Sequence, residues 1–201
     1  MTASTDPVRV AIACHGGRGH TGRLAEAVTA GASSVPLTEV GHVHVDRIGA
    51  ADWHRLDDAD AIVFGAPTYM GTASAAFHTF AEASAKRWFT RRWQDKVAAG
   101  FTNSGSMAGD KSSTLEYFTT LAAQHGMIWV NLGLPPGWNS SSGSEFDLNR
   151  LGFYHGAAAQ SNVDDRTGTV HKSDLATAEH LGRRVAELTR IVVAGRRALE
   201  P

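Results

Sequence analysis

The sequence predicts an open α/β sandwich, a five-stranded parallel β-sheet with helices packed on both faces. Three observations lead there. Short apolar runs recur along the 201 residues, with helical stretches between them. Those runs are continuous rather than alternating, the pattern of strands buried on both faces. Glycine- and hydroxyl-rich loops follow several of them, where an open parallel sheet holds its ligands.

The elements follow in order. VRVAIA, Val8 to Ala13, is a β-branched first strand, and the helix after it is expected from about Thr21 to Ala32. Leu24, Ala27, Val28 and Gly31 fall there at helical spacing. VGHVHV forms the second strand, ending near Asp46, and the weakly helical AADWHRLDDA leads into AIVFG, the third. Ser74 to about Phe89 reads as one helix with Phe77, Phe80 and Ala81 along a stripe. VAAGFT is the fourth strand, Lys111 to His125 a helix closed by Gly126, and MIWVNLG the fifth strand. A last helix, capped by Ser173 with Asp174 in its first turn, is expected to reach about Gly195. Between them, Gly133 to about Lys172 is too long for an ordinary connection, and such loops serve function or assembly. No repeat or linker divides residues 1–201, which read as one domain.

Composition narrows the function. A net charge of -1 and a pI near 6.8 make no case for nucleic acid or a polybasic membrane surface. The single cysteine, Cys14, rules out a disulfide framework and reads as a small core residue. His42 and His44 share a strand face, but no third ligand accompanies them, so no metal is expected. The start, MTASTDPVRV, has no apolar signal core, and no apolar run is long enough to span a bilayer. A cytoplasmic protein is therefore expected.

The loop HGGRGH, His15 to His20, admits two readings. Gly17, Gly19 and Gly22 satisfy GxGxxG, and Asp46 lies near the acidic position a dinucleotide site needs about 20 residues on. Alternatively, Gly16 to Thr21 is a compact cradle for the phosphate of a mononucleotide. The other strand ends decide between them. The third strand empties into GAPTYMG and the fourth into TNSGSMAG. In a flavodoxin-type order, 2-1-3-4-5, the first, third and fourth strands are neighbours and these loops converge. A dinucleotide domain would leave them unexplained, and no substrate domain remains over.

Each loop then has a chemical task. Backbone N–H groups at a helix N-terminus bind a phosphate without lysine, and Gly16, Gly17 and Gly19 let those amides turn inward. Thr21 adds a hydroxyl. The missing GxxxxGK[ST] lysine argues against a nucleoside triphosphate. Pro67, Thr68, Tyr69, Met70 and Gly71 offer amides and an aromatic face to a flat ring. Ser104, Gly105 and Ser106 meet the ring's polar edge. His125, read alone, is an ordinary residue at a helix C-terminus.

GHTGRLAEAV, GAPTYMGTASAAFHTF, FTNSGS and LAAQHGM together resemble the flavodoxin-like NAD(P)H:quinone oxidoreductases of the tryptophan-repressor-binding-protein type. The resemblance spans roughly residues 8 to 133 and resumes in DLNRLGFYHGAAAQS. It implies FMN as cofactor, NADPH or NADH as donor, a quinone-like acceptor, and a homodimer or homotetramer. Carried over by position, the phosphate loop is Gly16, Gly17, Arg18, Gly19, His20 and Thr21. Asn103 joins the ring-edge contacts, and Tyr69 and His125 line the acceptor side. Two positions depart from the family pattern. Gly16 replaces a hydroxyl residue, a loss of about 0.5–1.5 kcal/mol of hydrogen bonding. Arg18 stands where the family often has an aromatic, and brings charge either toward the FMN phosphate or toward a nicotinamide phosphate. A flavodoxin-type one-electron carrier is the rival function, as is a binding protein without catalysis. Carriers present an acidic rim, whereas these loops are neutral.

Overall fold

Parallel pairing of five apolar segments organises the computed structural model, which describes residues 6–17, 19–165 and 167–199. The first half contains β1 (Val8–Cys14), α1 (His20–Ser33), β2 (Thr38–His44), α2 (Ala50–Asp58), β3 (Ala61–Tyr69), β4 (Thr72–Ala73) and α3 (Ala75–Ala83). The second contains α4 (Ala85–Phe89), β5 (Val97–Ser104), α5 (Lys111–Gln124), β6 (Ile128–Trp129), β7 (Ala157–Gln160) and α6 (Lys172–Leu199). The main path of the sheet is β2-β1-β3-β5-β6.

Two additions depart from the expected five-strand order and bring the sheet to seven strands. β4 turns back antiparallel on the end of β3, pairing Thr68 with Ala73 and Tyr69 with Thr72. The fifth position is built from two pieces. β6 pairs with Val97 and Ala98 at the start of β5, and β7 pairs with Phe101 to Ser104 at its end. The expected strand MIWVNLG therefore stops after two residues. Val130 still donates to the Ala98 carbonyl, but Leu132 already donates to Tyr154 O, and the chain leaves the sheet.

Other boundaries move for identifiable reasons. The helix expected over Ser74 to Phe89 is broken at Ser84, whose hydroxyl donates to Ala81 O. Ser173 is not the cap of α6. The N–H groups of Asp174 and Leu175 donate to His171 O, while Ser173 Oγ reaches across to Glu145 O.

Successive residues of a strand face opposite sides, so each strand feeds two cores. Val10, Ile12, Val63 and Ala99 pack under α1 and α6 with Leu24, Val28, Leu181 and Val185. Ala11, Ile62, Phe64 and Ala98 pack on the other face with Leu56, Phe77, Phe118 and Trp93. α1 and α6 lie unusually close: a Cβ on Gly182 would fall 2.0 Å from Val28 O. Cys14 belongs to the first core, and burial pushes its thiol up to about 12. Among the described residues, no helix is long and apolar enough to cross a membrane.

Candidate functional site

The carboxyl ends of β1, β3, β5 and β7 surround a cavity of about 960 Å3. That is near the top of the range for small-molecule and cofactor sites. Loop one is set by α1. Its N-cap, Gly19, has extended backbone and no side-chain cap, and the first turn holds no acidic residue. The free N–H groups of that turn are left for an outside acceptor, with the positive end of the helix dipole behind them.

The glycine roles differ from expectation. Gly17 has φ +49, which only glycine adopts cheaply, and a Cβ on Gly22 would lie 2.0 Å from Gly17 O. Gly19 has φ −80 and a single neighbour at 3.3 Å, so the turn does not require glycine there. At Gly16 a Cβ would press on Thr21 Cβ at 2.7 Å, so this loop is too tight for the family's hydroxyl residue. Gly16, Gly19, His20 and Thr21 line the cavity; Gly17 does not. Arg18 lies outside the described residues.

Loop two is the hairpin between β3 and β4. Met70 and Gly71 have φ of 50 and 83, the two positive values a tight two-residue turn demands. This lifts Tyr69 and Met70 to the rim, 61% and 102% exposed. Pro67, Thr68 and Gly71 also line the cavity. The Thr68 hydroxyl is engaged within the protein. It bonds Thr102 Oγ1 and Thr114 Oγ1, both at 2.8 Å, in a buried network that ties β3, β5 and α5 together.

Loop three brings Asn103, Ser104, Gly105 and Ser106 to the opposite wall. Asn103 Nδ2 donates to Ser161 Oγ at 2.8 Å, while its buried Oδ1 has no partner among the described residues.

A fourth wall was missed. Ser161, Asn162 and Val163 line the cavity after β7, together with His15, Gly109 and Asp110. The signal was present in GAAAQSN: an apolar run followed by polar residues, as at the other strand ends. His15 Nδ1 bonds Ser74 Oγ at 2.7 Å, and His20 Nε2 stands 3.9 Å from Asp165. Hydrogen bonds from the Thr167 hydroxyl and N–H hold the Asp165 carboxyl down at about 2.

His125 is not at this cavity. It is 5% exposed, its ring tilted against Trp93 with centroids 4.5 Å apart, and its Nε2 lies 2.9 Å from Ser84 Oγ. Its role as a pocket residue of this chain is corrected to one in the core beneath α4. His42 is likewise engaged, 2.6 Å from Thr29 Oγ1.

The residues fit a flavin mononucleotide. An uncapped helix end suits its phosphate, and the orphaned Asn103 acceptor suits a ring N–H. Fold and cavity thus define a flavodoxin-like mononucleotide-binding protein. Comparison with known proteins sharpens this. The NADPH-dependent FMN reductase family matches residues 49–134. Flavodoxin FldP of Pseudomonas aeruginosa is 46% identical over 172 residues, 86% of this chain and 91% of that protein. An NAD(P)H dehydrogenase (quinone) of Archaeoglobus fulgidus is 34% identical over 201 residues, covering 90% and 96%. The crystal structure of a flavodoxin, WrbA-like protein from Agrobacterium tumefaciens superimposes with TM-score 0.72 at 40% identity, covering 92% and 98%. The chain belongs to the flavodoxin-like, WrbA-type family of NAD(P)H oxidoreductases. It is an oxidoreductase that works through FMN with a reduced nicotinamide as donor.

Proposed function

We propose that the protein passes hydride from NAD(P)H to a quinone or similar acceptor at the cavity between the four loops. The supporting observation is a single cavity that joins an uncapped helix N-terminus to an open rim of Tyr69 and Met70. Bound FMN supplies the two-electron chemistry.

The chain's own tasks are binding and orientation. Amides of Gly16, His20 and Thr21 hold the phosphate, and the helix end adds about 0.3–1 kcal/mol, up to about 2 where partly buried. Asn103 Oδ1 accepts from the ring, and backbone donors of Gly105 and Ser106 face its polar edge. Tyr69 and Met70 wall the exposed side, where donor and acceptor would stack in turn and water is displaced. No side chain is required as a general base, and His125 is too deeply buried to act as one.

The likeness to a protein named flavodoxin supports a second reading, a one-electron carrier. Against it, the rim is largely neutral, with Asp110 its one carboxylate among the described lining residues. Anaerobic titration decides. FMN-loaded protein should bleach with NADPH or NADH and recover its colour on adding a quinone. Bound flavin that neither nicotinamide reduces would move the protein to the carriers. Gly22→Val should abolish FMN binding, because its Cβ would strike the Gly17 carbonyl. Unchanged affinity in that variant would place the flavin elsewhere.

A further inference from the structure

Lys111 opens α5, yet a cation in the first turn of a helix opposes the dipole. The side chain is 0% exposed, and lysine is almost never buried that fully without partners. Its partners are three carbonyls of loop three. Nζ donates to Ser106 O at 2.5 Å, Met107 O at 3.0 Å and Ala108 O at 3.4 Å. From the insertion, Arg150 and the Phe153 ring face it, the ring centroid 5.9 Å away; from α6, Asp174 faces it, already bound to Arg150. Gln160 Nε2 takes the preceding carbonyl, Gly105 O, at 2.9 Å. Four successive carbonyls are thus held by Lys111 and Gln160, with the Ser104 hydroxyl also on Ser106 O at 3.4 Å and the Lys111 N–H on Ala108 O at 3.2 Å. In a trans peptide the N–H points opposite the C=O. The N–H groups of Ser106, Met107, Ala108 and Gly109 are therefore turned away from Lys111 and Gln160. None of them finds an acceptor among the described residues, and Ser106 and Gly109 line the cavity.

We propose that Lys111 is a positioning residue for the flavin: its ammonium gathers the loop-three carbonyls, turns the loop's N–H groups outward, and FMN binding weakens when the amine loses its proton. The inference rests on the cavity being the FMN site. Burial lowers the Lys111 pKa to about 8, Asp174 opposing and Arg150 reinforcing the shift, so the switch falls in mild alkali.

The test is FMN affinity of the apoprotein, read by flavin fluorescence between about pH 7 and about pH 9.5, either side of that value. Wild type should lose about tenfold in affinity across the range, the scale of one charge-assisted hydrogen bond. Lys111→Arg keeps its charge and should show a flat profile. Lys111→Met should bind about tenfold more weakly at the lower pH, also without pH dependence. A flat wild-type profile, or an equal alkaline loss in wild type and Lys111→Arg, overturns the proposal. That comparison decides the matter even if Lys111→Met does not fold. FMN binding that survives Gly22→Val would instead remove the site, and the proposal with it.

Discussion

The Ser84 hydroxyl gives its proton to Ala81 O, so it can only accept from His125. The imidazole must then carry its hydrogen on Nε2, which leaves Nδ1 a buried lone pair with no partner among the described residues. Burial lowers the His125 pKa to about 4 from 6.5. Because the folded value is the lower one, the unfolded chain takes up the proton first. Stability is full above pH 6.5 and is lost as pH falls toward about 4. Urea unfolding should show wild type losing about 1–3 kcal/mol over that range through this group, and His125→Gln losing correspondingly less. Equal pH slopes would reject the assignment. Met70 presents another strained residue, a non-glycine at φ 50 with its side chain fully in solvent. Asparagine tolerates that conformation far better. Met70→Asn should raise the melting temperature by about 2–4 °C, the effect of about 1 kcal/mol in a chain of this size. If the rim residue serves the acceptor, quinone turnover falls in the same variant; a lowered melting temperature would mean that Met70 makes contacts worth more than the strain.

At the scale of elements, the insertion between β6 and β7 is tied down by one buried ion pair. Arg150 donates to Asp174 at 2.8 and 2.9 Å, and Asp174 Oδ2 also accepts the Gln160 N–H at 3.1 Å. Breaking such a pair strands a charge in the core. Arg150→Met should cost about 3–5 kcal/mol in denaturant unfolding. A loss under about 1 kcal/mol would show that water reaches Asp174 and that the pair is not an anchor. None of this was legible beforehand, since pairing across the insertion depends on where β7 docks. Strands one, three and four were legible because each is a largely apolar run bounded by turn residues, and strand two because Val40 and Val43 recur among polar neighbours. The fifth was not, because its second half is AAAQ, four residues of weak strand preference far along the chain from the first half. Loops one to three followed from the strands that carry them, and the fourth wall was lost with β7. His125 was misplaced for a different reason: a sequence names a side chain without saying toward which face it turns.

At the scale of the whole molecule, the insertion between β6 and β7 presents exposed apolar groups. It carries six large apolar residues, Trp138, Phe146, Leu148, Leu151, Phe153 and Tyr154. Leu151 and Phe153 are partly buried, while Trp138, Phe146, Leu148 and Tyr154 are 50%, 55%, 39% and 59% exposed. Phe146 is steadied by stacking on His171 at 5.5 Å and by Lys172 above its ring, so it is held in place rather than hidden. Exposed aromatics on one segment favour association, each worth about 1.5–3 kcal/mol when buried. The cavity rim carries exposed apolar groups on the same terms, with Tyr69, Met70 and Val163 all more than half exposed. We therefore expect a homodimer or homotetramer in which a neighbouring chain completes the flavin pocket, using residues of this segment. Sedimentation at micromolar concentration should show no monomer. Trp138→Ser combined with Tyr154→Ser should release monomers and raise the KM for quinone more than it weakens FMN, since the phosphate cradle lies within one chain. A wild-type monomer with full quinone reductase activity would mean that each chain's cavity is complete by itself.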